Sequence, residues 1–195
     1  MVKINIVGNL IISGTASFVI RNAGLFKNGA INSGISLFIF LGNADTSRAK
    51  ISGIGTSVLY NVTVSKSANG VAFQLPVSIK NILEISAGIL HAYSNLTLLS
   101  TAALTARVDT IITGASISGK VNVQRYFPAK KAWRLITAPV SNGSSIYTTW
   151  QNVGVYEAGK GMFITNIAGG TGLDKIVGSS LKTYNNTTQR LDSVV

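Results

Sequence analysis

Short apolar runs recur along the chain between clusters of Asn, Ser, Thr and Gly. Within many of them apolar and polar positions alternate, the period of a half-buried strand. One phrase returns, an Asn followed by alternating β-formers and a Ser. It stands as Asn9-Leu-Ile-Ile-Ser13, Asn61-Val-Thr-Val-Ser65 and Asn95-Leu-Thr-Leu-Leu-Ser100, with a looser copy at Asn81-Ile-Leu-Glu-Ile-Ser86. Asn61 to Asn81 is 20 positions and Asn81 to Asn95 is 14, so the repeat is irregular. Strand-turn units recurring near this length predict a parallel β-solenoid (β-helix-like) over residues 1–118, each coil burying its apolar face against the next. Coils of about 20 residues stacked at about 4.8 Å would give about six coils. Leu10, Ile12, Val62, Val64, Leu96 and Leu98 are expected to point inward. Asn at a coil corner would accept a left-handed backbone and bond along the stack. A β-sandwich offers the same short strands and turns and stands as the alternative.

Two segments compete with the strand pattern. Ile79, Ile82, Leu83, Ile89 and Leu90 fit helical spacing, with Lys80 and Glu84 four apart. Ser86 and Gly88 interrupt that face, so a strand is expected. The first twenty residues imitate a signal peptide, with Lys3, an apolar run and small residues. Asn5, Gly8 and Asn9 break the run, and its alternation favours strands. Ile35 to Leu41, the most apolar stretch, is far short of the ~20 residues that span a bilayer as a helix.

The texture changes at Gly119. Basic and aromatic residues gather in 120–134, and glycines follow, which marks a second, β-rich module over 119–195. No closing turn follows Arg190, so this module is expected to be incomplete and the chain a fragment of a longer protein. The run Ser116 to Val140, SISGKVNVQRYFPAKKAWRLITAPV, resembles a segment of the large secreted surface proteins of Bacteroidetes, the β-helix-like, adhesin-like cargo of their outer-membrane export system. Ser145-Ile-Tyr-Thr-Thr-Trp-Gln151, Gly172-Leu-Asp174 and Ser180-Leu-Lys-Thr-Tyr-Asn185 resemble the family's continuation, and Lys50-Ile-Ser-Gly53 and Tyr60-Asn-Val-Thr-Val64 its repeats. The resemblance implies an extracellular or cell-surface location and a structural or adhesive role. It carries over no catalytic or binding residue, and the C-terminal sorting domain expected of such cargo is missing here, which fits the expectation of a fragment.

Composition narrows the chemistry. The chain is 46% hydrophobic and 12% charged, against a usual charged share of about 25%. Its polar residues are mainly uncharged turn formers, which suits many short strands and argues against disorder. Cysteine is absent, so disulfides, thiolate metal sites and a Cys nucleophile are excluded. Seventeen Lys+Arg against six Asp+Glu give a net charge of +11. That excess favours acidic partners, or marks a basic slice of a longer protein whose acidic parts lie elsewhere.

Lys120, Arg125, Lys130, Lys131 and Arg134 occur with no acid between them, interleaved with Tyr126, Phe127 and Trp133. These are the candidate contacts to an acidic glycan or other polyanion. The structural alternative is a strand whose Val121, Val123 and aromatics face a core, with Pro128 ending it and the basic stems covering apolar surface. Nucleic acid is not expected as a partner on a cell surface; surface glycan, or other copies or modules of the same protein, are.

Gly154-Val-Tyr-Glu-Ala-Gly159-Lys160 matches a P-loop except that Gly161 stands where Ser or Thr would bind magnesium, and a strand-like Met-Phe-Ile-Thr follows. A hairpin turn is expected there. His91 is the sole imidazole, and no G-x-S-x-G elbow offers it a serine nucleophile, so an ordinary partly buried or surface His is expected. The six carboxylates form no local pair. No catalysis, metal or cofactor is therefore expected, with a carbohydrate-binding or polysaccharide-degrading β-helix as the alternative. Asp109-Thr110-Ile111 and Asp192-Ser193-Val194 resemble the Asp-Ser/Thr-aliphatic acceptor of Bacteroidetes O-glycosylation, which makes Thr110 and Ser193 candidate modification sites or plain turn residues.

Overall fold

A computed structural model describes residues 2–43, 48–128, 134–136, 145–155, 157–158, 161–166, 175–176 and 179–193. The chain divides into two units, Met1–Leu135 and Ile136–Val195. The first is a parallel β-solenoid of about five turns, as the Asn phrase predicts. The β-sandwich alternative fails because every strand pair among the described residues of this unit is parallel.

Three ladders line the coils. The first stacks Val2–Val7, Ala23–Asn28, Ala49–Ile54, Val71–Phe73, Ile89–His91 and Ser116–Ser118. The second stacks Leu10–Ile11, Ile31–Asn32, the start of Ser57–Lys66, the start of Val77–Ala87, Leu96–Leu98 and Val121–Val123. The third stacks Ser17–Arg21, Leu37–Gly42, the latter parts of Ser57–Lys66 and Val77–Ala87, and Arg107–Ile111. The two long strands therefore serve two ladders each, bending where one becomes the other. Register between successive coils ranges from Val71↔Leu90 to Ile89↔Ser116, 19 to 27 residues. The longer coils hold the extra residues in their corners, which is why about five turns form where a 20-residue coil predicts six.

Alternation sorts side chains as the sequence predicts. Val62, Val64, Leu96 and Leu98 are buried, and Leu10 and Ile12 pack half-buried against the core. Interior columns run along the stack, such as Phe18, Phe38, Val62, Leu83 and Val108. Each member contacts its neighbours on adjacent rungs, so β-branched and aromatic residues are favoured. Val77–Ala87 is one strand, which settles the helical alternative. Residues 2–7 and 17–21 are strands too, in line with the N-terminal alternation.

The Asn phrase marks two different corners. Asn9 and Asn95 precede the second ladder, while Asn61 and Asn81 stand where the second ladder passes into the third. That is why their spacing jumps from 20 to 14. They do bond along the stack: Asn81 Nδ2 donates to Asn61 Oδ1 at 2.9 Å, Asn95 Nδ2 donates to the Phe73 carbonyl at 2.8 Å, and Asn9 Oδ1 accepts from the Ala30 amide at 2.9 Å. The expected left-handed backbone falls elsewhere, on Asn22 and Asn69.

Asn22 and Gly88 make one-residue corners from the third ladder into the first, at φ +48° and +79°. A Cβ on Gly88 would stand 1.8 Å from the Lys66 carbonyl oxygen. Gly88→Ala is therefore expected to cost about 3 kcal/mol, from the left-handed backbone and the forced separation of rungs. Urea unfolding of the two proteins measures it. An unchanged midpoint would mean that this corner is not held.

The parallel ladder does not break near residue 118. Leu96–Leu98 pairs with Val121–Val123, and the Gln124 amide donates to the Leu98 carbonyl at 2.9 Å. The change in composition at Gly119 thus reflects a change of surface, not of scaffold. In the second unit a short helix, Ile146–Thr149, starts at Ser145, whose Oγ accepts from the Thr148 amide at 3.2 Å. Thr165–Asn166 pairs in parallel with Lys175–Ile176, and Lys182–Asn185 forms a hairpin with Arg190–Ser193. Asn185 Oδ1 accepts from the Thr187 and Thr188 amides and shapes the turn.

Candidate functional site

Only part of the basic segment falls within the described residues; Lys130, Lys131 and Trp133 lie outside them. Lys120 and Arg125 are exposed, and Arg125 Nη1 donates to the neighbouring Gln124 carbonyl at 2.9 Å. The Arg134 guanidinium lies 5.9 Å from the Phe127 ring centroid, within cation–π range. Val121 and Val123 pack against the core as expected. Tyr126 and Phe127 do not face a core: the strand ends at Val123, five residues before Pro128, and both rings are exposed. The Tyr126 amide donates to Ser100 Oγ at 2.9 Å, which holds this exit segment against the coil below.

A second cationic cluster is built by the first ladder, from residues far apart in sequence. Its register aligns Lys50, Ala72, His91 and Ser118 on consecutive rungs, with Ala72 buried between the half-buried Lys50 and His91. Arg48 precedes this row. Its Nε donates to the Asn69 carbonyl at 3.1 Å and its Nη1 to the Tyr93 hydroxyl at 2.8 Å. Tyr93 stacks on His91 with centroids 6.0 Å apart. Burial first, and then the nearby Arg48 guanidinium, hold the His91 imidazole below its usual range. His91 is thus partly buried, as expected, but it is also part of a group that sequence reasoning missed. The available signal was Tyr93-Ser94 between Ala92 and Asn95, two residues poorly suited to the turn they form.

Of the described carboxylates, Glu84 accepts from Thr63 Oγ1 at 2.9 Å on the third ladder, Asp109 lies on the same ladder, and Glu157 and Asp192 belong to the second unit. Asp45 and Asp174 lie outside the described residues. Among the described residues no three His, Cys, Asp or Glu gather to hold a metal ion, and no helix is long and apolar enough to cross a membrane.

Thr110 is exposed on the strand Arg107–Ile111 rather than in a turn. Ser193 is exposed at the end of Arg190–Ser193, where its Oγ accepts from Lys182 Nζ at 2.7 Å. Of the P-loop-like stretch, Tyr156, Gly159 and Lys160 lie outside the described residues. Gly154 ends a short 3-10 turn, and 161–164 is irregular where a strand was expected, with strand beginning at Thr165. No protein-family model, curated protein or solved structure matches this chain.

Proposed function

We propose that the chain is a structural, adhesive segment of a large extracellular or cell-surface protein, without catalysis of its own. The observation that supports this reading is the uninterrupted stack of three parallel ladders. Such a body gains stability coil by coil, so length can vary without redesign of the fold. The resemblance of 116–140 to Bacteroidetes surface proteins points the same way. Partners on this reading are surface glycans or further copies and modules of the same protein. Antibodies raised against residues 1–135 are expected to label intact producing cells, and brief external proteolysis should remove the label. Label that appears only after lysis would overturn the proposal. Incubation with acidic and neutral polysaccharides should leave them uncut; cleavage abolished by Glu84→Gln or Asp109→Asn would favour the degrading β-helix instead.

The same reading makes Thr110 and Ser193 acceptors for O-glycan, a bulky hydrophilic addition at exposed hydroxyls. Peptides spanning Asp109–Ile111 and Asp192–Val194 from native material are expected to exceed their encoded masses. Unmodified native peptides at both sites would end the idea.

A further inference from the structure

We propose that Arg48, His91 and Tyr93, with Lys50 beside them, form a binding site for a sugar ring that carries an anionic group. The proposal deepens the adhesive reading and rests on it for the ligand's setting. Its first support is backbone strain. Tyr93 and Ser94 have φ of +49° and +64°, and the Asn95 amide closes the turn on the Ala92 carbonyl at 2.8 Å. Two successive left-handed residues call for Asn, Asp or Gly. A tyrosine there is an outlier, and such outliers gather where a side chain must be presented. Core burial does not account for it, because Tyr93 is 53% exposed.

Its second support is preorganisation. Bonds to the Asn69 carbonyl and the Tyr93 hydroxyl fix the Arg48 guanidinium beside the exposed ring. The remaining guanidinium N–H groups are disposed to meet a carboxylate or sulfate. His91 stacks on the same ring and supplies a second nitrogen-bearing group. Lys50 stands two rungs away across the small, buried Ala72, in the same register row. Within the first unit the described carboxylates, Glu84 and Asp109, lie on the third ladder. The cluster therefore offers an aromatic face for the ring's C–H groups and fixed donors for its charge.

The chain has a single histidine, so its NMR titration reports on this site alone. The intact chain would be titrated with oligogalacturonate, with a heparin oligosaccharide, with a neutral malto-oligosaccharide and with a single-stranded oligonucleotide of matched charge. One or both acidic saccharides are expected to bind and to raise the His91 midpoint, because an anion beside the imidazole favours its charged form. Which of the two binds more tightly identifies the anionic group. Arg48→Gln should weaken binding about tenfold or more. Tyr93→Asn should weaken it comparably while the melting temperature stays level or rises, since Asn suits the turn. A purely structural tyrosine would not separate those readouts. Undiminished binding by Tyr93→Asn, an unmoved His91 midpoint, or equal affinity for the oligonucleotide would each overturn the site. Cell-surface labelling involves no ligand, so failure here leaves that test standing.

Discussion

Lys27→Ala is expected to destabilise the first unit by about 3–4 kcal/mol, in spite of removing a buried cation. Lys27 faces inward on the first ladder and is fully buried. Its Nζ donates to the carbonyls of Gly29 at 2.9 Å, Ile54 at 3.2 Å and Thr56 at 3.1 Å, tying the corners of two successive coils together. Truncation leaves the volume of a long side chain empty, about 2–5 kcal/mol for core residues. Three charge-assisted bonds are lost as well, and the ammonium's desolvation penalty of several kcal/mol is recovered. The last two nearly cancel, so the cavity decides the sign.

Lys27→Met separates volume from charge. Met fills most of the space, and the Ile54 and Thr56 carbonyls keep their backbone donors, the amides of Gly29 and Ile31. A change within about 1 kcal/mol is therefore expected. The pH dependence provides a second reading. Burial pushes the Lys27 amine down from 10.5, so the unfolded chain binds more protons between the folded value and 10.5. Stability should rise with pH across that window in the native protein relative to Lys27→Met. Urea titrations of the two proteins at several pH values measure the difference. A Met variant as damaged as the Ala variant would show that the three bonds, and not the volume, hold this corner.

The ladders were legible because alternation is enforced on every rung. Val62, Val64, Leu96 and Leu98 face a core that each coil completes for its neighbour, so a polar substitution there would be felt locally. The corners were legible only in part. Asn61 and Asn81 bond to each other across one coil, yet Asn9 and Asn95 share their phrase while serving a different corner. Local sequence records that an Asn turns the chain, but not which ladder follows. The change of texture near 118 has a related cause: basic and aromatic surface residues begin at Lys120 while Val121 and Val123 continue the interior column. Composition responds to the outside of a coil, whereas the ladder is set by its inside.

The cluster at Tyr93 was invisible for a geometric reason. Arg48 and Tyr93 are 45 residues apart, and coil lengths vary enough that no fixed period aligns them. Only the register of the first ladder brings Lys50, Ala72 and His91 into one row. The buried lysines were equally hidden. Lys27 and Lys66 occupy inward positions that alternation alone would assign to Leu or Val, and their side chains are fully enclosed. Lys27 reads as solvent-facing until the three corner carbonyls that hold its Nζ are known.

Phe40→Ala should be the most damaging single truncation of the core, at about 4 kcal/mol. Phe40 is fully buried, with rungs on both sides: Ile20 on one and Val64 on the other. Its ring centroid lies 6.3 Å from that of Phe73, so the cavity would open in the middle of the coil as well as along the stack. Phe18 provides the internal comparison. It is half-buried on the outermost described rung of the same ladder, with its ring tilted against Phe38 at 4.9 Å and a described neighbour in that ladder on one side only. Phe18→Ala is expected to cost about 1–2 kcal/mol, because partial burial forfeits less transfer free energy. A stack of nearest-neighbour interfaces also predicts where each loss is felt. In Phe18→Ala, hydrogen exchange should quicken at 17–21 while the amides of 57–66 keep their protection. In Phe40→Ala, protection should fall on both sides of the gap, and the urea midpoint of the whole unit should drop. Equal losses from the two substitutions, spread over the same amides, would mean that the coils unfold as one block and that rung-by-rung coupling does not govern this solenoid.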